Sequence, residues 1–349
     1  MYKKIIITGG AGFIGVNATR FFLKKNFTIT ILDNFSRKGT RENISRLLND
    51  KNKNDKINVI KLDLKNFDKL SKIIKKIKPD LILHLAAQVA VTTAVINPRY
   101  DFENNILTSF NLLESCRLYS NKSLLIYSST NKVYGKIKSR KTSSKYRFNF
   151  HKNEAVDEDQ QLDFYSPYGC SKGAADQYFH DYARIYGLKT VVLRQSCIFG
   201  ENQFGIEDQG WVAWFIIAFL LKKNVTIYGN GKQIRDVLYG DDLVNLFYRI
   251  YLNRDKCAGE VFNIGGGSKN TLSLLELINI LKHKYKLNTK VKFGKKRPGD
   301  QDIFVSNNRK ITKFTQWKPS TSCDSGIKKV LSWSKNNLKV IKKVIKKVV

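Results

Sequence analysis

No stretch of this 349-residue chain is apolar for the roughly 20 residues that a bilayer-spanning helix needs, which excludes a transmembrane segment. The N-terminal run Ile5–Ile7 leads straight into glycines, so it reads as a first strand and not as the core of a signal peptide. Cytoplasmic residence is the expectation. Cysteines are few and scattered. Cys116, Cys170, Cys197, Cys257 and Cys323 form no CxxC pair and no metal-ligand spacing with the four histidines, so neither a disulfide framework nor a metal site is expected. Acidic residues are scarce as well: 62 Lys+Arg face 29 Asp+Glu, a net charge of +33. Such an excess raises the question of a nucleic-acid partner. The lysines, however, run along the whole chain with abundant Ile and Asn, which reads as compositional bias, and no specific nucleic acid is expected. A diffuse positive field still favours the approach of an anionic pyrophosphate substrate.

What is present alternates. Short β-branched runs at Lys4–Thr8, Thr28–Asp33, Asn58–Lys61, Leu81–Leu85, Leu124–Ser128 and Thr190–Arg194 are separated by helical patterns such as Ile14–Lys25, Phe67–Lys76 and Asn104–Tyr119. This order predicts an α/β fold, a Rossmann-type doubly wound parallel sheet with helices on both faces. Beyond Phe199 the alternation loosens into an aromatic-rich stretch, Asp208–Leu221, and a further helix, Leu272–Lys284, with Ser273 near its start. The expected organisation is a dinucleotide-binding domain over residues 1–199, with 235–256 returning to it. A smaller mixed α/β lobe over 200–234 and 257–335 would bind substrate at the carboxyl side of the sheet. No internal repeat is visible. Lys136–Asp163 is a polar, lysine-rich insertion too long for an idle connection. The tail, 336–349, has the pattern of a basic amphipathic helix, suited either to packing on the protein or to an anionic membrane surface.

The first strand runs into Thr8-Gly-Gly-Ala-Gly-Phe-Ile-Gly15, which holds GxGxxG at Gly10, Gly12 and Gly15 and GxxGxxG at Gly9, Gly12 and Gly15. Glycines allow the tight turn and the close approach of backbone to a pyrophosphate, which the helix N-terminus then holds. The second strand ends in Asp33, whose carboxylate suits ribose hydroxyls and repels a 2′-phosphate. NAD is therefore the expected cofactor. Asp63 and Leu64, at the end of the third strand, are placed to contact adenine.

Tyr168 and Lys172 are one helical turn apart, with Pro167 at a helix start and a helical pattern over Gly169–Tyr186. A cation beside a phenol favours phenolate and makes tyrosine a usable general base. About forty residues earlier a strand ends in Ser128-Ser-Thr-Asn-Lys-Val-Tyr-Gly135, where the Thr130 hydroxyl is placed to hold a substrate oxygen. With Thr8–Gly15, Asp33, His84–Ala87 and Asn105, these motifs resemble the extended short-chain dehydrogenase/reductases, the nucleotide-sugar epimerases and dehydratases, over nearly the whole chain. The resemblance implies a catalytic set of Thr130, Tyr168 and Lys172. It implies cofactor contacts at Gly9, Gly12, Phe13, Ile14 and Gly15, at Asp33, Asn34, Asp63 and Leu64, at Leu85, Ala86, Ala87 and Asn105, and again at Tyr168 and Lys172.

The 4,6-dehydratases of that family carry an Asp-Glu pair directly after the catalytic threonine. Here Asn131 and Lys132 stand there, which argues against dehydration. The segments 128–135, 166–177, 208–211 and 229–237 most resemble the 2-epimerases of CDP-linked deoxyhexoses. The implied reaction inverts C2 of a CDP-sugar through a transient 2-keto sugar with tightly bound NAD. Thr93, Asn131, Gln203, Gln209 and Trp211 are the implied sugar and base contacts, and Arg235 and Arg297 the diphosphate anchors. Two alternatives stay open: a 4-epimerase or decarboxylase acting on a UDP-sugar, and a catalytically silent NAD-bound protein that binds RNA. Family members are often dimers or tetramers, so a homo-oligomer is expected.

Overall fold

The computed structural model describes residues 3–52, 55–137, 142–151, 154–297 and 299–346. Residues 138–141 and 152–153 of the insertion and 347–349 of the tail lie outside them. Ile5, Ile6 and Ile7 are fully buried, as befits a strand covered on both faces by helices. The strands are β1 (Lys3–Thr8), β2 (Phe27–Asp33), β3 (Ile57–Lys61), β4 (Leu81–His84), β5 (Leu124–Thr130), β6 (Lys189–Gln195) and β7 (Cys197–Phe199). They continue with β8 (Val225–Tyr228), β9 (Ile234–Tyr239), β10 (Val261–Ile264), β11 (Thr271–Ser273), β12 (Val291–Gly294) and β13 (Ile303–Phe304). Seven of them form one sheet in the order β10-β6-β5-β4-β1-β2-β3, all parallel. The six expected strands are present, with ends displaced by two residues or fewer. Strand order reverses between β1 and β4, and the crevice at the carboxyl ends beside that reversal is where such sheets bind ligands.

Two of the sheet's boundaries differ from expectation. The seventh strand, β10, lies in the stretch assigned to the smaller lobe, while β9, assigned to the sheet, pairs instead with β7, β11 and β13. The helix Gly240–Leu252 buries Leu243, Phe247 and Ile250 in the same core as the first helix, Phe13–Leu23. Ile311 and Trp317 join that core too. The lobe is therefore threaded through the dinucleotide unit and not appended to it. Register against β6 decides this: Val261 to Ile264 pair with Val192 to Gln195, a long-range match that a four-residue apolar run cannot announce.

The lobe's own core is built on the helix Trp211–Leu220, whose residues Val212–Phe219 are all buried; a helix apolar all round must be enclosed. The expected helix at 272 begins later. Leu272 and Ser273 belong to β11, and Ser273 then caps Leu274–Asn279 in a reciprocal box with Glu276. The tail forms the helix Leu338–Lys346, and Ile341, Val344 and Ile345 are buried in the lobe core with Trp333. Its apolar stripe is thus spent on the protein itself. Among the described residues no helix is long and apolar enough to cross a membrane. The insertion acts as a strap: Val156 bridges to Ser306, and Arg147 reaches Glu276 at 3.2 Å and Thr271 at 2.7 Å.

Candidate active site

The glycine loop is close-packed wherever it faces protein. Gly9 has φ +64, and a Cβ there would stand 2.7 Å from the Ala86 nitrogen; a Cβ on Gly15 would stand 2.5 Å from the Gly10 Cα. Gly12, in contrast, would meet only the Gly9 carbonyl, at 3.2 Å, so its other side is open. Gly12 is also the N-cap of Phe13–Leu23, a helix with no side-chain cap and no acidic residue in its first turn. Its first amides are left for an anion. Asp33 is buried and accepts the Ala11 amide at 3.0 Å and the Phe35 amide at 2.8 Å, one per oxygen. Burial raises its pKa, against those two amides. Each oxygen keeps a second lone pair for a ribose hydroxyl. Asn34 donates to Asp63 at 3.2 Å, tying the ends of β2 and β3 together. Leu64 is buried beside them, its carbonyl held by Asn111 at 2.9 Å. Leu85 and Ala86 hang on Thr8, through its carbonyl at 3.1 Å and its hydroxyl at 3.3 Å. This cradle, with its uncapped helix and single open side, fits a dinucleotide.

It opens into a cavity of about 600 Å³ between sheet and lobe, lined by Phe13, Ile14, Leu85 and Ala87 on the cofactor side and by Thr130, Tyr168 and Lys172 beyond. The helix Pro167–Tyr186, which carries Tyr168 and Lys172, starts there because Ser166 accepts the Gly169 amide at 3.0 Å and Pro167 occupies the first turn. Tyr168 is pushed up to about 12 by burial, opposed by its hydrogen bond with Thr130. Lys172 is brought down to about 7 by burial, against the pull of Asp176 and Asp101. Its ammonium donates to the Ser128 carbonyl at 2.6 Å and lies 4.2 Å from the centre of the Tyr127 ring. Burial is thus the largest influence on the phenol, Thr130 is the group that opposes it, and the Lys172 ammonium is held by β5.

The opposite wall is polar. Asn131 and Lys132 follow Thr130 into a short 3₁₀ turn. Asn131 lies 3.4 Å from Gln301, and Lys132 lies 3.8 Å from Asp300. Burial and the Arg235 charge bring Lys132 down to about 8. Arg235 donates to Asp300 and to the Gln301 carbonyl at 2.7 and 2.6 Å. Arg297 donates to Asp208 at 2.8 Å and stacks 3.9 Å from the Tyr228 ring centre. Gln203, Gln209 and Trp211 also line the cavity. Trp211 is partly committed to packing, its indole N–H meeting Cys197 Sγ at 3.4 Å.

Thr93 is not among the residues that line the cavity. The helix Val91–Ile96 presents Val91, Thr92, Val95 and Ile96 to the cavity, and 93 falls off that face because 92, 95 and 96 are the helical neighbours. Thr92, not singled out by the sequence, is buried with an unpartnered hydroxyl, as are the carbonyl oxygens of Gln203 and Gln233. Asn105 does not line the cavity. It sits in a π turn, Glu103–Leu107, fully buried behind the helix Pro167–Tyr186, where it bonds Ser171 at 2.9 Å. Asp101 and Gln88 pack against the same helix, Asp176 is buried within it, and all three were equally invisible in the sequence, since their partners are distant in the chain.

The family model described as GDP-mannose 4,6 dehydratase matches residues 6–330. CDP-paratose 2-epimerase of Salmonella typhi is 43% identical over 339 residues, which is 95% of this chain and 99% of that protein. Among solved structures, UDP-glucose 4-epimerase of Thermotoga maritima with UDP-glucose superposes with a TM-score of 0.83 at 28% identity, covering 96% of this chain and 99% of that one. UDP-glucuronic acid 4-epimerase of Bacillus cereus, solved with UDP-glucuronic acid and NAD, gives 0.80 at 29%, covering 95% and 99%.

Proposed function

The chain belongs to the GDP-mannose 4,6-dehydratase family of NAD-dependent nucleotide-sugar epimerases and dehydratases, and on that premise we propose that it is an isomerase inverting C2 of a CDP-linked deoxyhexose, CDP-paratose to CDP-tyvelose. The observation that carries this reading is the 43% identity, over nearly all of both chains, to a CDP-paratose 2-epimerase. The amide and ammonium at Asn131 and Lys132 support it, because eliminating water from a sugar calls for an acid and a base where they stand.

Bound NAD supplies the hydride acceptor and donor that make a redox-neutral inversion possible, held by the Gly12 helix terminus, Asp33 and the loops after β3 and β4. The chain's own part is the proton and the grip. Thr130 holds the oxygen of the reacting hydroxyl, and Tyr168, within hydrogen-bond reach of Thr130, takes the hydroxyl proton and returns it once the sugar has presented its other face. Lys172 favours the phenolate by its charge. Arg235 and Arg297 hold the diphosphate, exchanging part of their hold on Asp300 and Asp208 for phosphate oxygens. A ring that must turn over needs more than one set of partners, and the unpaired oxygens at Thr92, Gln203 and Gln233 offer them.

The test is to incubate the purified protein, without added reductant, with CDP- and UDP-sugars and to follow C2 and C4 stereochemistry by NMR. Inversion at C2 of the CDP-sugar is expected; inversion at C4 alone, or of UDP-sugars only, sinks the reading. The same proposal includes a homo-oligomer. Phe110 and Tyr178 are exposed and in edge contact at 5.7 Å, and Leu118, Ile185 and Tyr186 extend the apolar face that the two neighbouring helices present. A nucleotide-sugar substrate and five free cysteines support a cytoplasmic site of action.

A further inference from the structure

Three elements meet behind the catalytic helix at one buried carboxylate. Asp101 is the penultimate residue of the short helix Pro98–Phe102, which runs into the π turn that carries Asn105. It is fully buried. Its Oδ1 accepts Gln88 Nε2 at 2.7 Å and Asn105 Nδ2 at 3.2 Å, and its Oδ2 accepts the Ser171 hydroxyl. The orientation of these groups is settled by their other bonds. Gln88 spends its second amide proton on the Ala90 carbonyl at 2.9 Å. Ser171 accepts from Asn105, and its own proton points between Asp101 Oδ2, the nearer acceptor, and the Tyr168 carbonyl at 3.2 Å. Burial raises the pKa of this carboxyl, and the donors from Ser171, Gln88 and Asn105, with the Lys172 charge, oppose that rise and favour the ionised form. Among the described residues no cation touches it. Asp176, a buried acid on the helix Pro167–Tyr186 itself, differs: Arg194 holds it with two bonds of 3.0 and 2.9 Å, and Ser129 adds a third.

We propose that Asp101 is a positioning residue: it fixes, through Ser171, the turn that carries Tyr168 and Lys172, and it is the counter-charge of the Lys172 ammonium. This rests on the reading of Tyr168 and Lys172 as the catalytic pair. The groups around Lys172 are few. Tyr127 lies under the ammonium on β5, and Tyr168 precedes it on its own helix. His84 on β4 is brought down to about 3 by burial and by the Lys172 charge, so it stays neutral. Asp176 also favours the ammonium but is held by Arg194, which leaves Asp101 as the buried negative charge with no cationic contact among the described residues. Its charge acts on both members of the pair, favouring the ammonium of Lys172 and disfavouring the phenolate of Tyr168. Removing it therefore moves both titrations to lower pH.

The experiment uses full-length protein with ¹³C-labelled lysine, Lys172 being identified by the signal lost in Lys172→Arg. In Asp101→Asn the Lys172 midpoint falls by about one pH unit, the size of effect a nearby opposite charge has in a buried site, and the kcat/KM profile shifts the same way. Ser171→Ala, which removes the hydroxyl bridge and keeps the charge, lowers turnover and moves neither midpoint. An unchanged Lys172 midpoint in folded Asp101→Asn overturns the proposal. Should that variant not fold, ¹³C-aspartate spectra of the unaltered protein decide, since an Asp101 found neutral at pH 7 equally overturns it. The titration needs no sugar, so failure of the protein to epimerise a CDP-sugar leaves this result standing and counts against the function instead.

Discussion

Tyr168 is asked to give up a proton in a place that resists it. Burial holds its phenol near 12, so Thr130, Lys172 and the bound cofactor must together favour the phenolate. Tyr168→Phe removes the proton acceptor and little volume; turnover is expected to fall about 10²–10⁴-fold, the usual share of general acid–base catalysis. NAD retention, read by absorbance, should be unchanged. Lys132 gives a pH prediction. Its pKa stands below the ordinary lysine value, so the ammonium is present below about 8 and lost above it. KM for an anionic nucleotide sugar is expected to rise as pH passes that value, and Lys132→Met should flatten the rise; steady-state kinetics between pH 6.5 and about 9.5 check it. Legibility at this scale followed distance. Gly9–Gly15 and Tyr168/Lys172 announce themselves within a few residues, whereas Asp101 has its partners at Gln88 and Ser171, and nothing local marks it.

The elements around the site stand or fall on their ends. Ser166 alone caps the catalytic helix by side chain, and Ser166→Ala is expected to cost about 1 kcal/mol, measured by chemical denaturation. The C-terminal helix makes a sharper test of packing against membrane binding. Ile341 is fully buried, so Ile341→Ala should cost about 2–5 kcal/mol, while a helix lying on a membrane surface would lose lipid affinity and no stability. The strands and the two long helices were readable because period and end signals agree locally. β11 was not: Leu272 and Ser273 carry the apolar step and the cap expected of a helix start, and only pairing with Ile234 and Arg235 makes them strand. The start of Asn104–Tyr119 in a π turn was hidden as well, since its hydrogen-bond pattern has no local sequence signal.

For the whole molecule, the exposed face of Phe110, Tyr178 and Ile185 predicts association. Tyr178→Glu should convert an oligomer to monomer by light scattering with the far-ultraviolet circular dichroism unchanged; an unaltered mass removes that face from consideration. The excess of positive charge makes a parallel forecast. Substrate KM should rise with salt, because screening weakens the field that gathers a diphosphate. The placing of β10 has a consequence for the making of the protein. β6 pairs with β5 on one side, but its other edge waits for Val261–Ile264, more than sixty residues downstream and beyond most of the lobe. On the ribosome, at about 5–20 residues per second, that edge is bare for several seconds, a template for wrong pairing. The nascent sheet therefore depends on a holding factor, or on the lobe condensing early over it, and a fragment ending at 199 should aggregate where the full chain does not.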